Sequence, residues 1–247
     1  RLTPVLDSAG LAKWPTGLSQ TVTNEHVNAL SDLYSSTNGC EWAWYDSIPG
    51  VPWNFTGYDP GSADVTVDPC LSEWEGVRCD CPSSSICNIV GLNLTNHKLN
   101  GYLPSSLDQL SNLISLCLAE NSISDIVPSS LGNIMPLQVL MLQSNEFTGS
   151  IPDTLSDLTD LRWLDLSRNM LNGSIPDNLF NALDNLGVFL VFNNHITGTI
   201  PSNVSRLSNL TLFNVHNNSL EGHIPSFTAS NASLTTLTLS FNVFTGT

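Results

Sequence analysis

Eleven side chains are of the types that do chemistry in most proteins. They are His26, His97, His195, His216 and His223, with Cys40, Cys70, Cys79, Cys81, Cys87 and Cys117. A histidine beside a serine and an acid would make a nucleophile, and four cysteines could hold zinc. Neither pattern is present. No histidine stands in a motif order that joins it to a Ser and an Asp, and there is no Gly-rich phosphate loop, H-E-x-x-H or EF-hand loop. His216 and Asp165 fall two strands apart on the pattern described below, which suits a solvated surface better than a catalytic pair. The cysteine spacing C-x8-C-x-C-x5-C from Cys70 to Cys87 fits no usual zinc knuckle. The sequence therefore predicts no enzyme, no catalytic residue, no metal and no cofactor beyond N-linked glycans.

Composition narrows the partners. Charged residues make up 12% of the 247, about half the usual share. Seven Lys and Arg against 22 Asp and Glu give a net charge of −15. Such a chain repels phosphate backbones and anionic lipid, so nucleic acid is excluded as a partner. No apolar run is long enough to cross a membrane. No signal peptide is visible, and because residue 1 is Arg the start reads as processed or trimmed. Sequons occur at Asn54, Asn93, Asn172, Asn203, Asn209, Asn217 and Asn231. Together with the clustered cysteines they point to an oxidising route and a secreted, extracellular or cell-surface protein whose sequons carry glycans.

The elements that position these residues follow from a repeat. Ile89, Leu113, Leu137 and Leu161 open the same phrase at 24-residue steps; one 25-residue unit follows, and Leu186, Leu210 and Leu234 continue the series. The phrase is L-x-x-L-x-L-x-x-N-x-L-x-G-x-I-P. Its L-x-L alternates as a strand does, so Leu164 and Leu166 face inward while Trp163, Asp165 and Ser167 face out. The Asn after each strand (Asn121, Asn145, Asn169, Asn194, Asn218, Asn242) is expected to bond the free backbone groups of adjacent turns. His97 fills this slot in the first unit and reads as a satisfied structural histidine. The Gly of G-x-I-P permits a tight bend, and Asp125 replaces it in the second unit, which predicts a locally different bend. The implied fold is an α/β solenoid, a right-handed superhelix with a parallel concave sheet. Three segments result: an arm at 1–23, a cap at 24–88 with a Trp-rich insertion, and seven repeats at 89–247, the last incomplete.

The L-x-G-x-I-P phrase resembles the plant-specific class of extracellular leucine-rich repeats, which includes polygalacturonase-inhibiting proteins and receptor-kinase ectodomains. DPCLSEWEGVRC, from Asp68 to Cys79, looks like the N-terminal cap motif of that family, and LYSSTNG, Leu33–Gly39, is similar to repeat proteins of algae and other protists. The resemblance implies a binding module and a Cys70–Cys79 disulfide. Before that motif, Val27, Leu30, Leu33 and Tyr34 share one face of a helix over about Asn24–Ser36, which Gly39 can end. Cys81 and Cys87 bracket a turn and suit a hairpin staple. Cys40 and Cys117 remain, to pair across the cap or stay free. Trp42, Trp44 and Trp53 lie in an insertion of the cap and either cover the apolar end of the solenoid or form an exposed aromatic loop.

The outward columns locate a candidate interface. Val139, Met141, Gln143, Trp163, Asp165, Arg168, Val188, Leu190, Phe192 and Leu212 make an apolar, aromatic stripe with a polar rim, bracketed by Asn93 and Asn217. The expected partner is a protein, a peptide or a polysaccharide. The sequence stops inside the seventh unit, so Leu234, Leu237, Leu239 and Phe244 are expected to form an open apolar end, met by further repeats or by self-assembly. The main functional expectation is a non-catalytic recognition glycoprotein. The alternative is a structural component of a wall, matrix or surface fibre.

Overall fold

The computed structural model describes residues 5–6, 12–13, 22–45, 47–56, 58–59, 67–82, 86–227 and 231–245. Most of the arm at 1–23 lies outside the described residues, apart from a short antiparallel pair, β1 (Val5–Leu6) and β2 (Ala12–Lys13). Helix α1 spans Asn24–Ser36, with the Thr23 hydroxyl accepting from the His26 N–H at its start. It buries Val27, Leu30 and Leu33. Its end differs from expectation. Asn38, not Gly39, takes the left-handed conformation, at φ 57°. Gly39 is required for another reason: a Cβ there would lie 2.2 Å from the Tyr34 ring.

After the cap motif comes β3 (Val77–Asp80), antiparallel to β4 (Asn88–Asn93). From β4 onward each repeat adds one strand. β5 (Asn100–Gly101) and β7 (Ser122–Ile123) pair in a small second sheet, separate from the main sheet that takes β6 (Ser115–Cys117). Then follow β8 (Val139–Met141), β9 (Trp163–Asp165), β10 (Val188–Leu190), β11 (Leu212–Asn214) and β12 (Thr236–Thr238). The main sheet has the order β12-β11-β10-β9-β8-β6-β4-β3, parallel throughout except at β3. On the opposite side Pro104, Pro128, Pro152 and Pro201 each precede a five-residue 3-10 turn, which suits their fixed φ. The leucines of the phrase fill the space between the two sides, and nearly all are fully buried.

The Asn slot works as a ladder. In Asn145 the amide N–H groups donate to Leu118 O (2.9 Å) and Leu142 O (3.1 Å), and Oδ1 accepts from Ile123 N (3.0 Å). Asn121, Asn169, Asn194 and Asn218 repeat this arrangement. The bend after the strand corrects one expectation. Asp125 adopts φ 70°, beside 72°, 69°, 72° and 72° at Gly149, Gly173, Gly198 and Gly222. The bend therefore matches that of units three to six, whereas Gly101 in the first unit takes φ 137°. Neighbouring turns impose it, and an aspartate tolerates the left-handed region better than most residues.

The cap docks through single-use contacts. Carbonyls left free at the end of α1 accept from the first repeat: Ser36 O from Tyr102 N and Thr37 O from Asn100 N, both at 3.1 Å. The insertion folds inward. Trp42 and Trp53 are buried, and rings of Tyr34, Trp42, Trp44, Trp53, Phe55 and Trp74 pack edge-on, tilted or stacked at centroid distances of 4.8–6.4 Å. These rings cover the end of the solenoid and do not form an exposed loop.

Candidate functional site

The concave face is a grid, because parallel strands in register place equivalent outward residues side by side. Val139, Trp163 and Val188 form one row, and Met141, Asp165 and Leu190 form the next. Gln143, Ser167 and Phe192 continue each strand. Exposure within the grid is uneven. Trp163 is 36% exposed, whereas Val188 and Leu190 are 8% exposed and Asp165 only 6%. Val139, Met141, Gln143, Phe192 and Leu212 are intermediate, and Arg168 is exposed. The sheet holds side chains about 4.8 Å apart across strands, so each covers part of its neighbours. Trp163 itself stands clear.

Ser167, which column reading did not single out, completes the centre. Its N–H and hydroxyl both donate to Asp165 Oδ1, at 3.0 and 2.6 Å. The signal for it was in the sequence, since Asn93 accepts in the same way from Thr95 N and Asn214 from His216 N. Burial raises the Asp165 carboxyl pKa. The bonds from Ser167 and the charge of Arg168 oppose that rise. The Arg168 guanidinium lies 5.8 Å from the Phe192 ring centroid, a cation–π distance. Gln143 Oε1 is buried without a hydrogen-bond partner.

The histidines occupy other places. His97 sits in the Asn slot with both ring nitrogens engaged: Nδ1 with Thr95 O at 2.8 Å and Nε2 with Glu75 Oε1 at 2.9 Å. It therefore locks the cap to the first turn. His216 Nδ1 lies 2.8 Å from Ser240 Oγ and is stacked edge-on against Phe241, with no contact to Asp165. His26 is buried, and burial lowers its pKa, opposed by Glu25. His195 and His223 are exposed.

The cysteines form two disulfides, Cys70–Cys79 and Cys81–Cys87. Sulfurs of Cys70, Cys81 and Cys87 lie within 4.8 Å of one another, but as disulfides they offer no thiolate to a metal. The Cys40–Cys117 pairing does not occur, and both thiols are free. Cys40 lies in the exposed turn after α1, and Cys117 is on the concave face of β6. Burial raises the Cys117 thiol pKa, opposed by Arg78. One sequon also needs correction. Asn231 is 5% exposed, and its amide donates to Val204 O and Leu207 O at 3.2 and 2.9 Å. Those bonds leave no room for a glycan. Asn54, Asn93, Asn172, Asn209 and Asn217 are exposed and Asn203 is half-buried.

Known proteins match this architecture. The family described as "Leucine rich repeat" matches residues 111–171. The leucine-rich-repeat ectodomain of the receptor kinase SOBIR1 from Arabidopsis thaliana is 27% identical, over 83% of this chain and 99% of that one, with a TM-score of 0.65. The ectodomain of the Arabidopsis receptor kinase HAESA, in complex with an extended IDA peptide hormone ligand, is 31% identical with a TM-score of 0.60. That match covers 64% of this chain but only 26% of HAESA. A plant ice-binding protein is 25% identical, over 91% of this chain and 73% of its own, with a TM-score of 0.64. A comparison with curated proteins finds no match. Among the described residues no helix is long and apolar enough to cross a membrane.

Proposed function

We propose that this plant-type leucine-rich-repeat solenoid acts outside the cell as a non-catalytic recognition module. It binds an extended peptide or protein segment on the concave face of units three to five. The observation that carries the reading is Trp163: an exposed indole on the sheet face, between the half-buried outward residues of β8 and the buried ones of β10. Exposed aromatic anchors surrounded by shaded, near-neutral contacts are where binding energy concentrates. The peptide complex of the similar HAESA ectodomain supports the ligand class. The exposed sequons and the two disulfides support an oxidising, extracellular setting.

Panning a random peptide display library on the purified chain, with and without Trp163→Ala, tests this. Selected peptides should bind wild type and lose about 10- to 100-fold affinity in the variant, while the melting temperature stays near that of wild type. Peptides that bind both proteins equally would sink the reading. The alternative, a structural glycoprotein of a wall, matrix or fibre, would appear as concentration-dependent polymers in light scattering and no peptide selection at this face.

A further inference from the structure

Asp165 carries more charge than its local structure requires. Met141 and Leu190 flank it across the strands, Trp163 precedes it on the same face of β9, and Ser167 follows just past the strand end. Its Oδ1 accepts both bonds from Ser167. Among the described residues no bond reaches Oδ2 and no cation is within ion-pair distance of either oxygen. Arg168 acts on it only at longer range, with its guanidinium turned over Phe192. As a residue Asp165 is 6% exposed with apolar neighbours on both adjacent strands, and a carboxylate in such company is unfavourable unless a partner compensates it. Yet the backbone does not need that charge. At the same place in β4 and β11, the neutral amides Asn93 and Asn214 make the equivalent bond to the N–H two residues on.

We propose that Asp165 determines specificity on the concave face by selecting a segment that presents an arginine, whose guanidinium stacks on Trp163 and donates to the free Asp165 oxygen. This rests on the concave-face reading above. A guanidinium fits better than an ammonium. It is planar, stacks on an indole and donates several bonds in a fixed fork. Gln143 Oε1, unpartnered in the next column of the adjacent repeat, becomes a second acceptor for the remaining donors once that half-buried side chain turns outward. The net charge of −15 draws basic segments toward the molecule.

The peptides selected on the full chain provide the test. They should share an arginine at a fixed position. Replacing that arginine with glutamine, or making Asp165→Asn, should each weaken binding at least about tenfold, and both together should cost no more than either alone. Asp165→Asn keeps an oxygen for Ser167, so it should melt at or above the wild-type temperature at neutral pH. If peptides bind in a Trp163-dependent way but carry no basic residue, or are indifferent to Asp165→Asn, this inference fails and the recognition reading stands. If no selected peptide depends on Trp163, the reading falls and the inference falls with it. A destabilised Asp165→Asn would show that the charge is structural, and would overturn the inference as well.

Discussion

The repeats and the cap solve the same problem in opposite ways. Both must satisfy buried polar groups and exclude water from an apolar interior. From Asn121 to Asn242 the repeats use one device again and again, an amide that bonds two successive turns. The cap uses each device once: a ring cluster, two disulfides, the Glu75–His97 contact and a helix end that accepts from the first turn. A repeated device tolerates local failure, because each interface carries only part of the stability. A single-use device does not. The junction shows the exchange directly, where His97 takes the Asn slot in the first unit and turns its second nitrogen to the cap.

The largest expected effect is therefore in the cap. Trp53 is buried, stacks on Trp74 at 5.4 Å and donates from Nε1 to Glu75 O at 2.8 Å. Trp53→Ala removes the ring from the centre of the cluster and should cost about 3–5 kcal/mol, enough to detach the cap. Chemical denaturation with a tryptophan signal would show it. A loss below about 1 kcal/mol would mean the rings are not cooperative. Within the repeats, Asn169→Ala leaves Leu142 O, Leu166 O and Phe147 N without their side-chain partner. It should cost about 2–4 kcal/mol and loosen only units three and four, read as faster amide exchange there and not in the cap.

How much of each region was legible follows from the same contrast. Helix α1, the strands and the Asn slots recur or alternate at fixed spacing, so period alone located them. The Trp-rich insertion has no period, and its inward fold depends on ring-to-ring contacts among residues from 34 to 74. On the concave face the column positions were readable, but burial was not. Leu190 and Asp165 are buried while Trp163 on the same face is exposed, and a column of letters does not reveal which members are covered. Asn231 fits the sequon rule as written, yet its amide holds two carbonyls of the preceding unit. Sequence motifs record what a residue can accept, and the fold decides what can reach it.

The smallest predicted change is also the sharpest test of who sets the bend. Asp125 holds φ 70° where units three to six use glycine at 69–72°, and its carbonyl accepts from Thr148 N at 2.7 Å and Thr148 Oγ1 at 3.2 Å. If adjacent turns impose the conformation, Asp125 is mildly strained. Relieving the left-handed strain of an L residue is worth about 1–2 kcal/mol, less for Asp, while a new glycine loses up to about 1 kcal/mol through the freedom of the unfolded chain. Asp125→Gly should thus leave the melting temperature unchanged or slightly raised. The reverse change, Gly149→Asp, adds the strain to a clash, because a Cβ there would lie 2.9 Å from Ile126 Cγ2, and should destabilise. If Asp125→Gly were clearly destabilising, the aspartate would be holding the bend itself, and the second unit would belong with the single-use devices of the cap.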